Sequence, residues 1–441
     1  MKRKTELVFV LFFFSGMAGL IYESVWSHYV KLFLGHAAYA QTLVLVVFIG
    51  GLALGSWLCA RAAERIRNPL RLYAFVEGAI GVMALVFHWT FVHAVEWGYT
   101  TLLPATCEPT STFCAGQWLL SALLLAPQSI LLGATFPLVS SAALRMSGQH
   151  PGHDIASLYF LNSLGGVMGV MASAFLLIPA VGLPGTLMAA GIANVLIAIV
   201  AYAIAKSAPV QPLVVARAPA VEDRWSERRV VAVLLVTAML TGLSSFIYEI
   251  AWIRMLGLVL GASTRSFELM LASFILGLAL GGLWIRSRVD AYTDTVRLLA
   301  FVQLAMGIFA VLTIPFYNAA FDFMAWMLSA LTRGDSAFVL FNLTSTFISL
   351  VIMLPATFCA GMTLPLITYR LLRSPAGEKS LGTVYAVNTV GSILGVVVAV
   401  HLLMSHFGTA RTLIVGAFID VLLGVMLLVR RRQGGGRIVV P

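Results

Sequence analysis

Two glutamates of this chain stand inside apolar runs, each in the same company. The first lies in 16-GMAGLIYESVW-26 and the second in 242-GLSSFIYEIAW-252, so Tyr22, Glu23 and Trp26 return as Tyr248, Glu249 and Trp252. A carboxylate embedded in an apolar helix has no water to solvate it, and such groups turn toward a protein interior. Facing carboxylates flanked by Tyr and Trp attract a cation, by charge and by contact with the ring faces. They can instead hold a proton, since burial and a nearby like charge both favour the neutral carboxyl. The plain alternative is that each acid hydrogen-bonds a neighbouring helix or pairs with arginine.

Helical spacing gives these acids a direction. Gly16, Gly19, Glu23 and Trp26 share one helix face, as do Gly242, Ser245, Glu249 and Trp252. The small residues admit a neighbouring helix at close range, which turns the acid inward. If its helix begins near Leu7, Glu23 lies about 24 Å along it at about 1.5 Å per residue. That is the outer third of a hydrocarbon core about 30 Å thick, where a gate or a helix tie fits as naturally as a central solute site.

Other polar residues in the apolar runs are weighed in the same way. Arg265 and Glu268 open one run, where the equivalent earlier run has Tyr39 and Thr42; Glu77 has Gln303 as its later counterpart. Asp420 stands in the last run and reads as a structural partner. Asn162 and Asn388 precede Gly165-x-x-x-Gly169 and Gly391-x-x-x-Gly395, which read as close-packing faces. Pro127, Pro137, Pro355 and Pro365 are expected to bend or break their helices. Cys107 and Cys114 in CEPTSTFC form either a disulfide or two free thiols, while Cys59 and Cys359 pack. No His/Cys/acid spacing suits a metal, no cofactor motif occurs, and no nucleophile–base set suggests an enzyme.

The elements that position these groups follow from composition. Hydrophobic residues make up 60% of the 441, and charged residues only 10%, against about 25% in soluble domains. Apolar stretches of roughly 20 residues recur throughout, each able to span lipid as a helix. They fall near 6–30, 37–60, 70–95, 117–144, 156–178 and 184–205, then near 229–253, 263–285, 297–320, 338–369, 381–403 and 411–430. With the N-terminus inside, the cytoplasmic segments hold all of the 28 Lys and Arg except Lys31, Arg254, Arg265, Arg333 and Arg411. That asymmetry predicts twelve spans with both ends cytoplasmic. The net charge of +10 is then a topology signal directed at anionic lipid head groups, and nucleic acid is not an expected partner. The first apolar run, without an A-x-A cleavage site and with a mid-chain copy, reads as a retained span.

A shift of 226 residues aligns the chain with itself. Besides the Tyr-Glu-x-x-Trp blocks, GLALG (51–55) returns at 277–281, and Tyr159, Asn162, Gly165 and Gly169 match Tyr385, Asn388, Gly391 and Gly395. Six spans per copy is an even number, so both copies start on the same side. Such parallel repeats are the layout of the two halves of a major-facilitator-type transporter. The expected organisation is a six-helix half over 1–205, a cytoplasmic linker over 206–229, a second half over 230–432 and a tail over 433–441. In the linking loops, Arg61, Glu64 and Arg65, and later Arg286, Arg288 and Asp290, fit a cytoplasmic charge latch or a plain positive-inside cluster.

GLIYESVW with its following LG, the GLALGSW block and the repeated Y-x-x-N-x-x-G helices carry a resemblance. Together they are similar to the membrane portion of bacterial fused major-facilitator-like/spermidine-synthase-like proteins. There a helical membrane region precedes a cytosolic aminopropyltransferase-like domain. After Arg432 only QGGGRIVVP remains, so the resemblance extends to the membrane unit and not to the synthase chemistry. It implies a bacterial inner-membrane location and a small polyamine-like solute.

Two function classes stay open. One is a secondary transporter, preferably an exporter, with Glu23 and Glu249 as proton- or cation-facing groups and Tyr22, Trp26, Tyr248 and Trp252 lining the same region. The other is a non-transporting membrane subunit that anchors a separate synthase-like enzyme or stabilises a larger membrane complex.

Overall fold

The computed structural model describes residues 2–35, 37–63, 65–106, 115–147, 150–207, 224–261, 264–292, 294–330, 335–374 and 377–434. Among these residues all regular structure is helical, as lipid demands of a backbone that must satisfy its own hydrogen bonds. The first half of the chain forms α1 (Lys2–Leu34), α2 (Ala37–Ala62), α3 (Pro69–Trp97), α4 (Leu103–Thr106), α5 (Ala115–Ser147), α6 (Pro151–Ala172) and α7 (Ile178–Ser207). The second forms α8 (Arg224–Leu260), α9 (Thr264–Arg286), α10 (Thr295–Ala330), α11 (Asp335–Leu372), α12 (Lys379–Val397) and α13 (Met404–Gly434). Cys107, Cys114 and Glu64, most of the linker and most of the tail lie outside the described residues.

Ten stretches are long and apolar enough to cross a membrane. Eight have 21 to 35 residues, whereas Pro151–Ser207 has 57 and Lys379–Val429 has 51. A straight helix of 57 residues would be about 85 Å long, far more than one crossing needs. Each of the two long stretches is broken at one glycine, Gly182 (φ 68°) or Gly408 (φ 74°). Positive φ is open to glycine at no steric cost, so the chain changes direction there. These two breaks are 226 residues apart, as are the positive-φ residues Gly35 (φ 73°) and Gly261 (φ 83°) that follow α1 and α8.

The chain forms two compact units. Unit 1 comprises 1–148, 164–214 and 381–386; unit 2 comprises 149–163, 215–380 and 387–441. The start of α6 (149–163) falls in unit 2 and the start of α12 (381–386) in unit 1, and each makes a close contact there. In unit 1, a methyl group on Gly382 would stand 2.4 Å from the Ser56 carbonyl oxygen; in unit 2, one on Gly282 would stand 3.0 Å from the Tyr159 ring. At Gly382 only hydrogen permits such approach, while at Gly282 a methyl would require the Tyr159 ring to shift.

Within unit 1, α2 packs on α5 and α3 on α7; within unit 2, α9 packs on α11 and α10 on α13. The contacts themselves are duplicated. Gly55 of α2 faces the Ile130 carbonyl of α5, and Gly281 of α9 faces the Phe358 carbonyl of α11. Gly165 and Gly169 press on the backbone of Phe13 and Met17, as Gly391 and Gly395 press on Met239 and Leu243. The glycine pairs of α6 and α12 are thus packing faces. On α1 the tight contact comes at Phe13 and Met17, and a methyl on Gly19 would only touch Leu132 at 3.7 Å.

The four inner prolines leave α5 and α11 continuous. Pro137 cannot donate to the Gly133 carbonyl one turn back, and the Ser56 hydroxyl supplies the missing bond at 2.7 Å. Large apolar side chains such as Trp89, Leu123, Leu258, Phe316 and Phe418 face outward. Water would penalise such a surface, whereas hydrocarbon accommodates it. The chain is a multi-pass membrane protein.

Candidate functional site

The Tyr-Glu-x-x-Trp blocks sit in α1 and α8, and in both helices the aromatic pair turns into its own unit. Tyr22 stacks on Trp26 with centroids 5.8 Å apart and planes at 18°, and Tyr248 stacks on Trp252 at 5.5 Å and 29°. All four rings are buried. Trp26 also meets Phe48 at 6.3 Å and Phe87 at 5.9 Å. The i to i+4 stack is a natural helix contact, and burying two rings at each place anchors the helix.

The acids between these rings are placed differently from them. Glu23 is 9% exposed. Its backbone carbonyl accepts from Ser27 Oγ at 3.0 Å, but its carboxylate has no hydrogen-bond or ion-pair partner among the described residues. Glu249 is 3% exposed and Glu268 is also buried. A carboxylate desolvated without a protein donor costs several kcal/mol, which a proton or a bound cation would offset. Glu23 has the chemistry of a group that takes its compensation from outside the protein.

The hydroxyls of both tyrosines are engaged inside their units. Tyr22 donates to Asn194 Oδ1 at 2.6 Å, and the Asn194 amide donates to Glu77 Oε2. Ser15 Oγ lies 2.5 Å from Glu77 Oε1, and Tyr73 adjoins the same carboxyl without a well-formed hydrogen bond. In unit 2, Tyr248 donates to Asp420 Oδ2 at 2.6 Å, and Ser244 donates to Oδ1 at 2.7 Å. Glu77 is therefore brought together with Tyr22 inside unit 1. Asp420, read as a structural partner, does bond a neighbouring helix.

The remaining sequence-predicted positions are scattered. Asn388 donates to the Ala238 carbonyl at 2.9 Å and ties α12 to α8. Asn162 is half-buried in α6, and the Arg265 side chain lies outside the described residues. Asp290 accepts from the Gly152 and His153 amides at 3.0 and 2.8 Å, where the first turn of α6 presents unpaired N–H groups. Arg288 lies 4.4 Å from the Trp284 ring and Arg61 lies 3.8 Å from the Trp57 ring. Among the described residues, then, Asp290 serves a helix terminus while these arginines stack on tryptophans.

Sequence reasoning passed over Asn194, Ser15 and Ser244. The available signal was the 226-residue shift, which lays Asn194 on Asp420, but a search for identical residues does not register that pair. It also passed over a difference at the tryptophans. Trp252 Nε1 donates to Thr313 Oγ1 at 3.2 Å, whereas Trp26 Nε1 is buried without a partner among the described residues. Phe87 stands in the first half where Thr313 stands in the second.

No family model and no curated protein matches the sequence. Solved structures do match the fold. A bacterial homologue of the iron transporter ferroportin in its outward-facing state aligns with TM-score 0.62 at 11% identity, covering 98% of this chain and 100% of the other. The human organic anion transporter TETRAN aligns with TM-score 0.59 at 13% identity, over 97% and 99%. The proton:xylose symporter XylE, a major-facilitator protein, aligns with TM-score 0.58 at 14% identity, over 97% and 96%. At such identities the likeness is one of fold: the chain shares the helical fold of these three proteins.

Proposed function

We propose that the chain is a secondary transporter of the bacterial inner membrane, built as twelve spans in two parallel six-helix repeats with both termini cytoplasmic. Breaks at Gly182 and Gly408 divide each of the two longest apolar stretches into two crossings, which brings ten stretches to twelve. The solute is a small, cationic, polyamine-like molecule, and the direction is export. Glu23 and Glu249 are the proton- or cation-facing groups, with Tyr22, Trp26, Tyr248 and Trp252 holding their helices in place behind them.

The observation that carries this reading is Glu23: a buried carboxylate in a duplicated helix, without a partner among the described residues, on a fold that its solved neighbours use for transport. Vesicles reconstituted with the purified chain and loaded with an amine panel provide the test. Amine efflux that follows an imposed pH gradient, absent from protein-free vesicles, is expected. Vesicles as tight to every amine as the protein-free ones would end the transport reading.

A second reading has one observation in its favour. Both tyrosine hydroxyls are spent on bonds inside their own units, which leaves few polar groups to meet a solute. On that reading the chain is a membrane subunit that holds a separate synthase-like enzyme or a larger complex. Its mark would be a stoichiometric partner retained through mild-detergent purification from native membranes, together with silent vesicles.

A further inference from the structure

We propose that each half of the molecule keeps one bound proton in a buried carboxyl pocket, on Glu77 in unit 1 and on Asp420 in unit 2, and that the pocket accepts its carboxyl from either of two helices. The proposal does not depend on transport, which rests on Glu23 and Glu249. It comes from four positions related by the 226-residue shift: Ser15, Tyr22, Glu77 and Asn194 correspond to Thr241, Tyr248, Gln303 and Asp420. The hydroxyl positions persist. The acid and the amide change places.

The contacts show that the exchange preserves a site. In both units the tyrosine of the first helix donates to the residue on the last, Tyr22 to Asn194 and Tyr248 to Asp420, each at 2.6 Å. In both, the residue on the third helix meets the first-helix alcohol: Glu77 with Ser15, and Gln303 with Thr241. Ser244 joins the two parts in unit 2, approaching both the Thr241 carbonyl at 3.1 Å and Asp420 at 2.7 Å. Each half thus carries one acid and one amide across the same pair of helices, on opposite members of the pair.

The surroundings favour a neutral carboxyl. Glu77 and Asp420 are both 0% exposed. The titratable groups facing Glu77 are Tyr22 from α1 and Tyr73 from α3, while α7 contributes Asn194 and, from α5, Gln128 reaches only the Ile80 carbonyl. Asp420 faces Tyr248 of α8 and Cys359 of α11. No Lys, Arg or His among the described residues pairs with either acid. Without a counter-ion among the described residues, a proton on the carboxyl balances the charge. A proton on Oε1 of Glu77 can be donated to Ser15 Oγ, whose own hydrogen turns to a carbonyl of its helix; no heavy-atom bond is made or broken. Among the described residues the Tyr73 hydroxyl beside Glu77 is buried without a hydrogen bond and offers that proton a second place to bond, while a proton on Oδ1 of Asp420 can be donated to Ser244 Oγ, whose own hydrogen turns to the Thr241 carbonyl.

The test is a swap. Infrared spectra of the full-length protein in detergent should contain the carbonyl stretch of neutral carboxyls that exchange slowly with D2O. E77Q should lose one such band and D420N another, each with a lower melting midpoint. E77Q/N194D, which gives the first half the acid–amide order of the second, should regain both the band and the wild-type midpoint, and so should Q303E/D420N. If a single variant fails to fold, the swap decides: a folded swap with its band restored supports the proposal, and a swap that fails likewise overturns it. Absence of neutral-carboxyl bands from the wild type would overturn it too, as would a folded swap lacking the band or a folded E77Q that keeps them all.

Discussion

Trp26 and Trp252 occupy equivalent places in two helices and stack on equivalent tyrosines, yet among the described residues only Trp252 has an acceptor for its ring N–H. A hydrogen bond of this kind contributes about 1 kcal/mol net. Trp252→Phe should therefore lower stability by about 1 kcal/mol more than Trp26→Phe, the loss of ring bulk being common to both. Thr313→Val strands a buried donor and should cost about 1–3 kcal/mol. Melting of the purified variants checks both expectations. Equal losses for the two tryptophan variants would mean that the Trp252–Thr313 bond contributes nothing. At this scale the sequence displays what is identical between the halves and hides what is exchanged. Tyr22 and Tyr248 are legible because they match. Asn194 is not, since an amide in an apolar helix reads as ordinary packing until its carboxyl counterpart Asp420 is set beside it.

Helices of this chain meet through hydrogen where another residue would bring a methyl group. A methyl on Gly55 would stand 1.9 Å from the Ile130 carbonyl oxygen, and one on Gly281 would stand 2.1 Å from that of Phe358. Gly55→Ala and Gly281→Ala should each destabilise by about 1–3 kcal/mol, the usual cost of overpacking. Gly257 supplies the internal control, because nothing lies within 4 Å of the added methyl. There the gain in helix propensity, up to about 1 kcal/mol, should leave Gly257→Ala as stable as the wild type or more so. Melting midpoints of the three variants provide the comparison, and a Gly257 variant that falls as far as the other two would contradict the packing account. The pairing of GLALG with its later copy was visible in the sequence, as was the 228-residue register that lays Gly133 on Gly361; that α2 meets α5 at Ile130 and α9 meets α11 at Phe358 was not, because a repeat gives register and not contact. The turn glycines were similarly veiled. Gly182 lies in VGLPG and Gly408 in HFGTA, so only one of the two breaks carries a proline as a signpost.

At the scale of the molecule, hydropathy was enough to read a multi-pass helical protein, and the internal repeat pointed toward the fold that the solved transporters share with this chain. Those signals are legible because lipid constrains whole helices at once. The site is less legible because a buried polar residue states its cost but not its partner. Glu23 and Glu77 both read as costly acids in apolar helices. Glu23 has no bonding partner among the described residues, whereas Glu77 is held by Ser15 and Asn194. The compact units also take in 149–163 and 381–386, where glycine contacts occur that no hydropathy profile registers.

Proton movement coupled to solute movement, followed with a pH-sensitive dye inside reconstituted vesicles, tests the central claim most directly. Wild-type protein should acidify or alkalise the lumen as amine crosses the bilayer, while Glu23→Gln and Glu249→Gln, each folded by its melting curve, should lose at least tenfold of that coupled rate, a barrier rise of about 1.4 kcal/mol. Coupled rates that survive intact in both variants would contradict the assignment of those two acids.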